Sequence, residues 1–449
     1  MALLYESTNR EAPKVTFREA LIAGQAPDMG LYTPVQVPML GKGVIDSFQG
    51  MAYHQIAHSV AMAYLEGEVP SNEVARITRE SYDFDVPLEH VFGRCHVMRL
   101  DRGPTASFKD FAARMMARLM QYFIKKDGGE ILILTATSGD TGSAVANAFH
   151  GLANIRVVVL FPEAEVTDRQ RRQMTTLGGN VTTIALKGKF DDCQALVKRA
   201  FADRELTHLH MSSANSINFG RVMPQSIYYF FAYSRLCEDP GEEIVFSVPS
   251  GNFGDLIGGL LAKNMGLPVK KFVVATNEND EFPRFMKSGA YAPLKPSKAC
   301  ISNAMNVGHP SNLARLFHMY GGWLDEGGVV KENPDLERMR SDLWSVSVSD
   351  HETRETIVDA YKKHKLILEP HGAVGWAGLM KYLGLKDNVL SVSLETADPA
   401  KFPEETVSLL GFTPKTPECL KGLESKEEHI VRLPSDDYDS LKEYLRGMG

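Results

Sequence analysis

The chain has 449 residues, about three times a typical domain of ~150, so two or three structural units around a sizeable core are expected. Its 49 basic and 56 acidic residues leave a formal charge of −7 with no long block of either sign, which argues against the clustered basic face of a nucleic-acid binder. Cysteines at 95, 193, 237, 300 and 419 show neither a CxxC pair nor metal-ligand spacing, so buried thiols are expected, with no disulfide frame and no metal.

The first stretch, MALLYESTNREAPKVTF, is charged throughout and lacks the apolar centre of a signal peptide; no window approaches about eighteen unbroken apolar residues. A cytoplasmic protein with no membrane partner is expected. Residues 1–93 combine Pro/Gly-rich loops (APDMGLYTPVQVP) with a helical pattern near Asp46 to Glu66 and no strand run, as an accessory N-terminal unit would.

Next comes GPTASFKDFAARMMARLM. Phe108, Phe111, Ala112, Met115, Leu119 and Phe123 recur on one helix face, and Ser107 with Asp110 fits a capping box, placing the helix start at Ser107. Lys109 then falls in the first turn, where the helix dipole disfavours a second positive charge. Such a site encourages an amine to lose its proton, as a Schiff-base lysine needs, although a solvated surface lysine is the commoner reading of any lone lysine.

From about residue 131, ILILTAT, IRVVVLF, VTTIAL, IVFSVPS, FVVATN, LILEP and VLSVSLE alternate with helical patterns. Runs apolar at nearly every position suit parallel strands buried on both faces, so the class is α/β, doubly wound. Two strand ends carry glycine-bearing turns: Thr137, Ser138, Gly139, Asp140, Thr141 and Gly142 after the first, and Ser250, Gly251, Asn252, Phe253, Gly254 and Asp255 after IVFSV. A strand end followed by a helix N-terminus receives a carboxylate or phosphate, though many such turns only reverse the chain. Neither matches a Walker or GxGxxG pattern. Asp280 to Gly328 is rich in Asn, Gly, Pro and Ser, as either the rim of an active-site mouth or a surface excursion. Two anion-type turns and an imine-forming lysine together point to a cofactor with an aldehyde and a phosphate, pyridoxal 5′-phosphate.

These blocks, in the order YESTNR, GLYTP, GPTASFKDFAARMM, TATSGDTGSA, SSANSINFGRVMPQSIYYFFAY, VPSGNFGD, ILEPHGAVG and LETADPAKFP, resemble the threonine synthase family of fold-type II pyridoxal-phosphate enzymes nearly end to end. The resemblance implies two doubly wound parallel-sheet domains with the cofactor between them. Large and small domains would span 94–130 with 223–449, and 131–222. It implies Lys109 as Schiff-base lysine and proton shuttle, and Gly251 to Asp255 around the cofactor phosphate. Asp140 would lie near the cofactor's phenolic oxygen, and Thr396 at its ring nitrogen. Thr137 to Gly142 would take the substrate carboxylate, and Ser216, Asn218 and Arg221 the substrate phosphate. The implied reaction converts O-phospho-L-homoserine and water to L-threonine and phosphate, the last step of threonine biosynthesis, in a monomer or homodimer. A phospholyase releasing 2-oxobutyrate, ammonia and phosphate is the alternative. A negative Asp140 beside a phenolate calls for a proton or a cation nearby. Glu369 and Asp398 stand where the family more often has Asp and His, leaving their roles, and that of His371, open.

Overall fold

The structure, a computed structural model, describes residues 2–384 and 388–448. Two separate parallel sheets organise it. The larger has six strands in the spatial order Leu343–Ser347, Val269–Thr276, Ile244–Pro249, Ser391–Glu395, Cys95–Arg99 and Leu88–Phe92, parallel except for the last pair. The smaller has five parallel strands in the order Ile430–Arg432, Val181–Leu186, Ile155–Pro162, Ile131–Ala136 and Met211–Ser212.

Strand alternation decides which core each residue joins. Along Ile131–Ala136, Ile131 and Ile133 enter the main core, which continues through Met115, Phe111 and Phe246 to the N-terminal residues Tyr5, Phe17 and Tyr64. Leu132 and Leu134 point the other way, into a second core closed by Leu441 and Leu445. The far face of the larger sheet packs Val97, Val245 and Val273 on Trp376 and Leu379. Burial on both faces is the physical meaning of the unbroken apolar runs.

Several expectations change. The C-terminal strand Ile430–Arg432 and helix Tyr438–Arg446 belong to the smaller unit, not to a large domain running through 449, because Ile430, Val431 and Arg432 pair with Thr183, Ile184 and Ala185. Leu88–Phe92 pairs with Cys95–Arg99, so the larger sheet begins inside the region expected to be accessory. LILEP forms no strand: it runs irregularly into the helix Pro370–Leu383, whose first residue is its own proline. The helix expected near Asp46 to Glu66 divides into Lys42–Asp46 and Tyr53–Leu65, with Gly50 at φ +78° between them. Among the described residues no helix is long and apolar enough to cross a membrane.

Candidate active site

Lys109 opens the helix Lys109–Asp127. The helix starts two residues later than expected and without the capping box. Asp110 turns back to accept from the Thr105 N–H (2.8 Å) and hydroxyl (2.6 Å), while the buried Ser107 hydroxyl has no partner among the described residues. Gly103 makes room for this: a Cβ there would lie 2.4 Å from Asp110 Oδ2. The turn is stitched to the end of the strand Ser391–Glu395, with the Phe108 N–H donating to Thr396 O (2.9 Å) and the Asp398 N–H to Ala106 O (3.1 Å). Lys109 and Thr396 thereby meet at one place.

Burial pushes the Lys109 amine down to about 8; Asp140, with Oδ2 4.0 Å from Nζ, opposes this, and the charges of Lys401 and Arg221 assist it. Asp140 has a closer partner than Lys109. Lys401, fully buried, places Nζ 2.5 Å from Asp140 Oδ1 and donates to Thr105 O (3.0 Å), and the Gln170 amide donates to Asp140 Oδ1 (2.9 Å). Although burial favours the protonated acid, Lys401 and then Lys109 hold Asp140 well below the usual carboxylate range. Lys401 is the cation that a charged Asp140 calls for. Sequence reasoning missed it, although it lies within LETADPAKFP.

The turn Thr137–Gly142 ends the strand Ile131–Ala136 and opens the helix Asp140–Phe149. Thr137 does not present its hydroxyl to a ligand, because it accepts from the N–H groups of Gly139 (2.9 Å) and Gly142 (2.7 Å). Ser138 and Thr141 stay half-buried at the open side. Gly139 sits at φ +134°, and a Cβ on it would lie 2.5 Å from the Gln170 amide group.

The second turn leads from the strand Ile244–Pro249 to the helix Gly254–Asn264, whose N-terminus receives no capping side chain. Phe253 precedes it at φ +63°, uncommon for a bulky residue, with its ring edge-on to Phe282 (4.9 Å). Free N–H groups at a helix start form an anion cradle. Gly251 fits beneath a short helical turn, Asn303–Met305: a Cβ would come within 2.9 Å of Ala304 O. The Asp255 side chain is not part of this cradle. It points into the core, accepting from the hydroxyls of Tyr228 and Tyr229 (2.7 Å for the latter), and burial lifts it to about 6.

Asn218, expected to bind the substrate phosphate, is committed elsewhere. Its amide donates to Leu21 O (2.9 Å) and Ser213 O (3.0 Å), and its Oδ1 caps the short helix Phe219–Val222 through the Gly220 N–H. What it positions is Arg221, buried, with one N–H group on Ala214 O (2.5 Å) and Nε without a partner among the described residues. The Ser216 hydroxyl accepts from the Asn312 amide (3.1 Å). Arg315, also fully buried, holds this segment from behind through Ser216 O (2.9 Å), Ile217 O (2.6 Å) and Tyr32 O (3.0 Å).

Glu369 caps the helix Pro370–Leu383, accepting from the Gly372 N–H (2.8 Å), and its Oε2 lies 2.5 Å from His371 Nδ1. On the other side of the ring, His371 Nε2 accepts from the Ala304 N–H (3.1 Å), so the pair braces the turn that lies over Gly251. Asp398 caps the turn leading to Lys401 through the Ala400 N–H (2.8 Å).

Three family profiles match the chain: "Pyridoxal-phosphate dependent enzyme" over residues 86–393, "Threonine synthase N terminus" over 4–82 and "Threonine synthase, C-terminal" over 372–445. A threonine synthase from Haemophilus influenzae is 39% identical over 438 residues, covering 96% of this chain and 97% of its own length. The chain belongs to the threonine synthase family. A solved structure described as PLP-bound threonine synthase from Brucella melitensis superposes with a TM-score of 0.92 at 36% identity, covering 99% of each chain. Yeast threonine synthase gives 0.90 at 31% identity, covering 99% of this chain and 98% of its own. Pyridoxal phosphate is the cofactor of the threonine synthase family, and the residues present fit it. The helix start at Gly254 lacks a side-chain cap among the described residues, Lys109 is an amine with a weakened hold on its proton, and Gly251 lets the turn before that helix pack closely against Asn303–Met305.

Proposed function

We propose that this chain converts O-phospho-L-homoserine and water to L-threonine and phosphate, as a cytoplasmic enzyme of threonine biosynthesis working as a monomer or homodimer. The observation that carries this reading is Arg221. It is a buried guanidinium without a carboxylate partner among the described residues, its Nε unsatisfied and its charge felt at Lys109. A protein that only carried the cofactor has no use for such a group, whereas a substrate phosphate supplies the missing counter-charge.

When bound, pyridoxal phosphate supplies an electron sink that lowers the cost of removing a proton from the substrate carbon beside the amine. The N–H groups of Asn252 to Asp255 would hold its phosphate and the Thr396 hydroxyl its ring nitrogen, with Lys109 its covalent anchor. Ser138 and Thr141, with the N–H groups of their turn, receive the substrate carboxylate and fix the amino acid's orientation. Lys109, once free, takes a proton at Cα and moves protons at Cβ and Cγ, for which an amine titrating near neutrality is suited. Arg221 holds the γ-phosphate in the ground state and gains on it as charge builds during departure, favouring elimination. Water then adds at Cβ.

The test is incubation with O-phosphohomoserine and assay of every product. Threonine and phosphate in equal amounts are expected, with Lys109→Ala lowering the rate by about a thousandfold or more. Ammonia and 2-oxobutyrate without threonine would overturn the reading in favour of a phospholyase.

A further inference from the structure

The pairing of Asp140 poses a question of its own. Asp140 begins a helix of the smaller unit, whereas Lys401 ends the turn Pro399–Lys401 that follows the larger sheet's strand Ser391–Glu395. Their contact crosses the junction between the two sheets. Two further contacts cross beside it: the Gln173 amide donates to Thr105 O (3.0 Å), and Arg169 donates to Ala400 O. Thr105 O accepts from Lys401 as well, so the carbonyl just before the Lys109 turn is gripped from both sides.

A lysine completely removed from water is costly unless paired, and this one makes its direct ion pair with Asp140. That carboxylate is also the acid nearest to Lys109, 4.0 Å away against 2.5 Å to Lys401. The other charges felt at Lys109 are Arg221 and Glu369; Asp140 feels His371 too, and Lys401 has Asp110 and Cys419 among its neighbours.

We propose that Lys401 is a positioning residue for the reaction: by holding Asp140 across the sheet junction, it withholds that carboxylate from Lys109 and keeps the Lys109 amine ready to give up its proton. Without Lys401, Asp140 would become the counter-ion of Lys109, and the ammonium form would be favoured twice over, by gain of a partner and by loss of a like charge. The device depends on apposition of the two sheets, since Asp140 stands on the smaller unit and both lysines on the larger. It rests on the reading of Lys109 as the reactive amine, but not on which product is released.

The test uses the cofactor-free full-length chain. Trace acetylation with acetic anhydride from pH 6 to 10, with the Lys109 peptide quantified by mass spectrometry, reads the midpoint at which that amine loses its proton. The wild type should titrate near pH 8. Lys401→Met should raise the midpoint by about one unit or more, Asp140→Asn should lower it, and the double variant should return close to wild type. Lys401→Arg, which keeps the charge, should stay near wild type and provides a second readout should Lys401→Met fold poorly. A midpoint in folded Lys401→Met equal to or below that of the wild type overturns the proposal, as does a Lys401→Arg midpoint raised as far as one unit. Product assay of the loaded enzyme is a separate measurement, so failure here is distinguishable from failure of the threonine synthase reading.

Discussion

The two glycine turns share a plan, strand end, small residues, then helix with an aspartate in its first turn, yet treat that aspartate in opposite ways. Asp140 stays charged, held by Lys401 and Gln170 beside Lys109. Asp255 is swung away from its own helix start into the core, where two tyrosine hydroxyls meet one of its oxygens and the other has no partner among the described residues. The difference fits the ligands proposed for the two turns. A turn proposed to cradle a phosphate would repel an anion at its mouth; Asp255 is turned aside, and burial discourages its charge. At the other turn, an anion beside the reactive amine is tolerable only because Lys401 occupies it.

The largest test of this contrast is the pH response of Asp255. Its folded-state value lies near 6, above the ordinary 3.8, so its contribution to stability is complete below pH 3.8 and lost as pH rises through 6. For a fully buried group the loss amounts to up to about 3 kcal/mol. Urea unfolding at pH 4 and pH 7 should therefore show Asp255→Asn gaining on the wild type as pH rises; a gap constant over that range would contradict the assignment. Next is Gly139→Ala. The φ of +134° and the Gln170 amide 2.5 Å from the new Cβ distort the turn proposed to receive the substrate carboxylate. A loss of about two orders of magnitude in kcat/KM is expected, with the cofactor's absorbance retained.

Gly251→Ala should act on the other turn alone. Its Cβ presses on Ala304 and Met305, so cofactor affinity by spectroscopic titration should fall about tenfold, while kcat at saturating cofactor changes by only a few-fold. Smallest is Tyr228→Phe. It removes one of the donors to Asp255, and should cost about 1 kcal/mol at neutral pH and move the Asp255 titration upward. Comparison of its urea midpoints with those of wild type at pH 5 and 7 checks both.

Much of this architecture was legible before the structure because buried parallel strands leave an unmistakable mark: ILIL and IVFSV are apolar at almost every position. Cys95–Arg99 left none, since His96 and Arg99 interrupt it, and its partner Leu88–Phe92 is only partly covered. LILEP misled for the opposite reason, being apolar where the chain is buried yet irregular. At the site, local pattern marked Lys109 and the turns as candidates, but not where their side chains point. Asp140 and Asp255 look alike in sequence, and only partners distant along the chain, Lys401 for one and Tyr228 and Tyr229 for the other, separate them. A single lysine in a turn carries no signal of its own, so Lys401 became visible only once Asp140 was placed against it. Asn218 was recognised by its block, yet its amide is occupied by backbone carbonyls.

The C-terminal strand Ile430–Arg432 lies beside Val181–Leu186, and the helix Tyr438–Arg446 closes the outer core through Leu441 and Leu445. During synthesis the smaller sheet therefore waits, with one edge unpaired and one apolar face open, while the larger sheet's strands from Ile244–Pro249 to Ser391–Glu395 are being made. The smaller unit's outer core is therefore closed by chain that follows the larger sheet's strands in sequence.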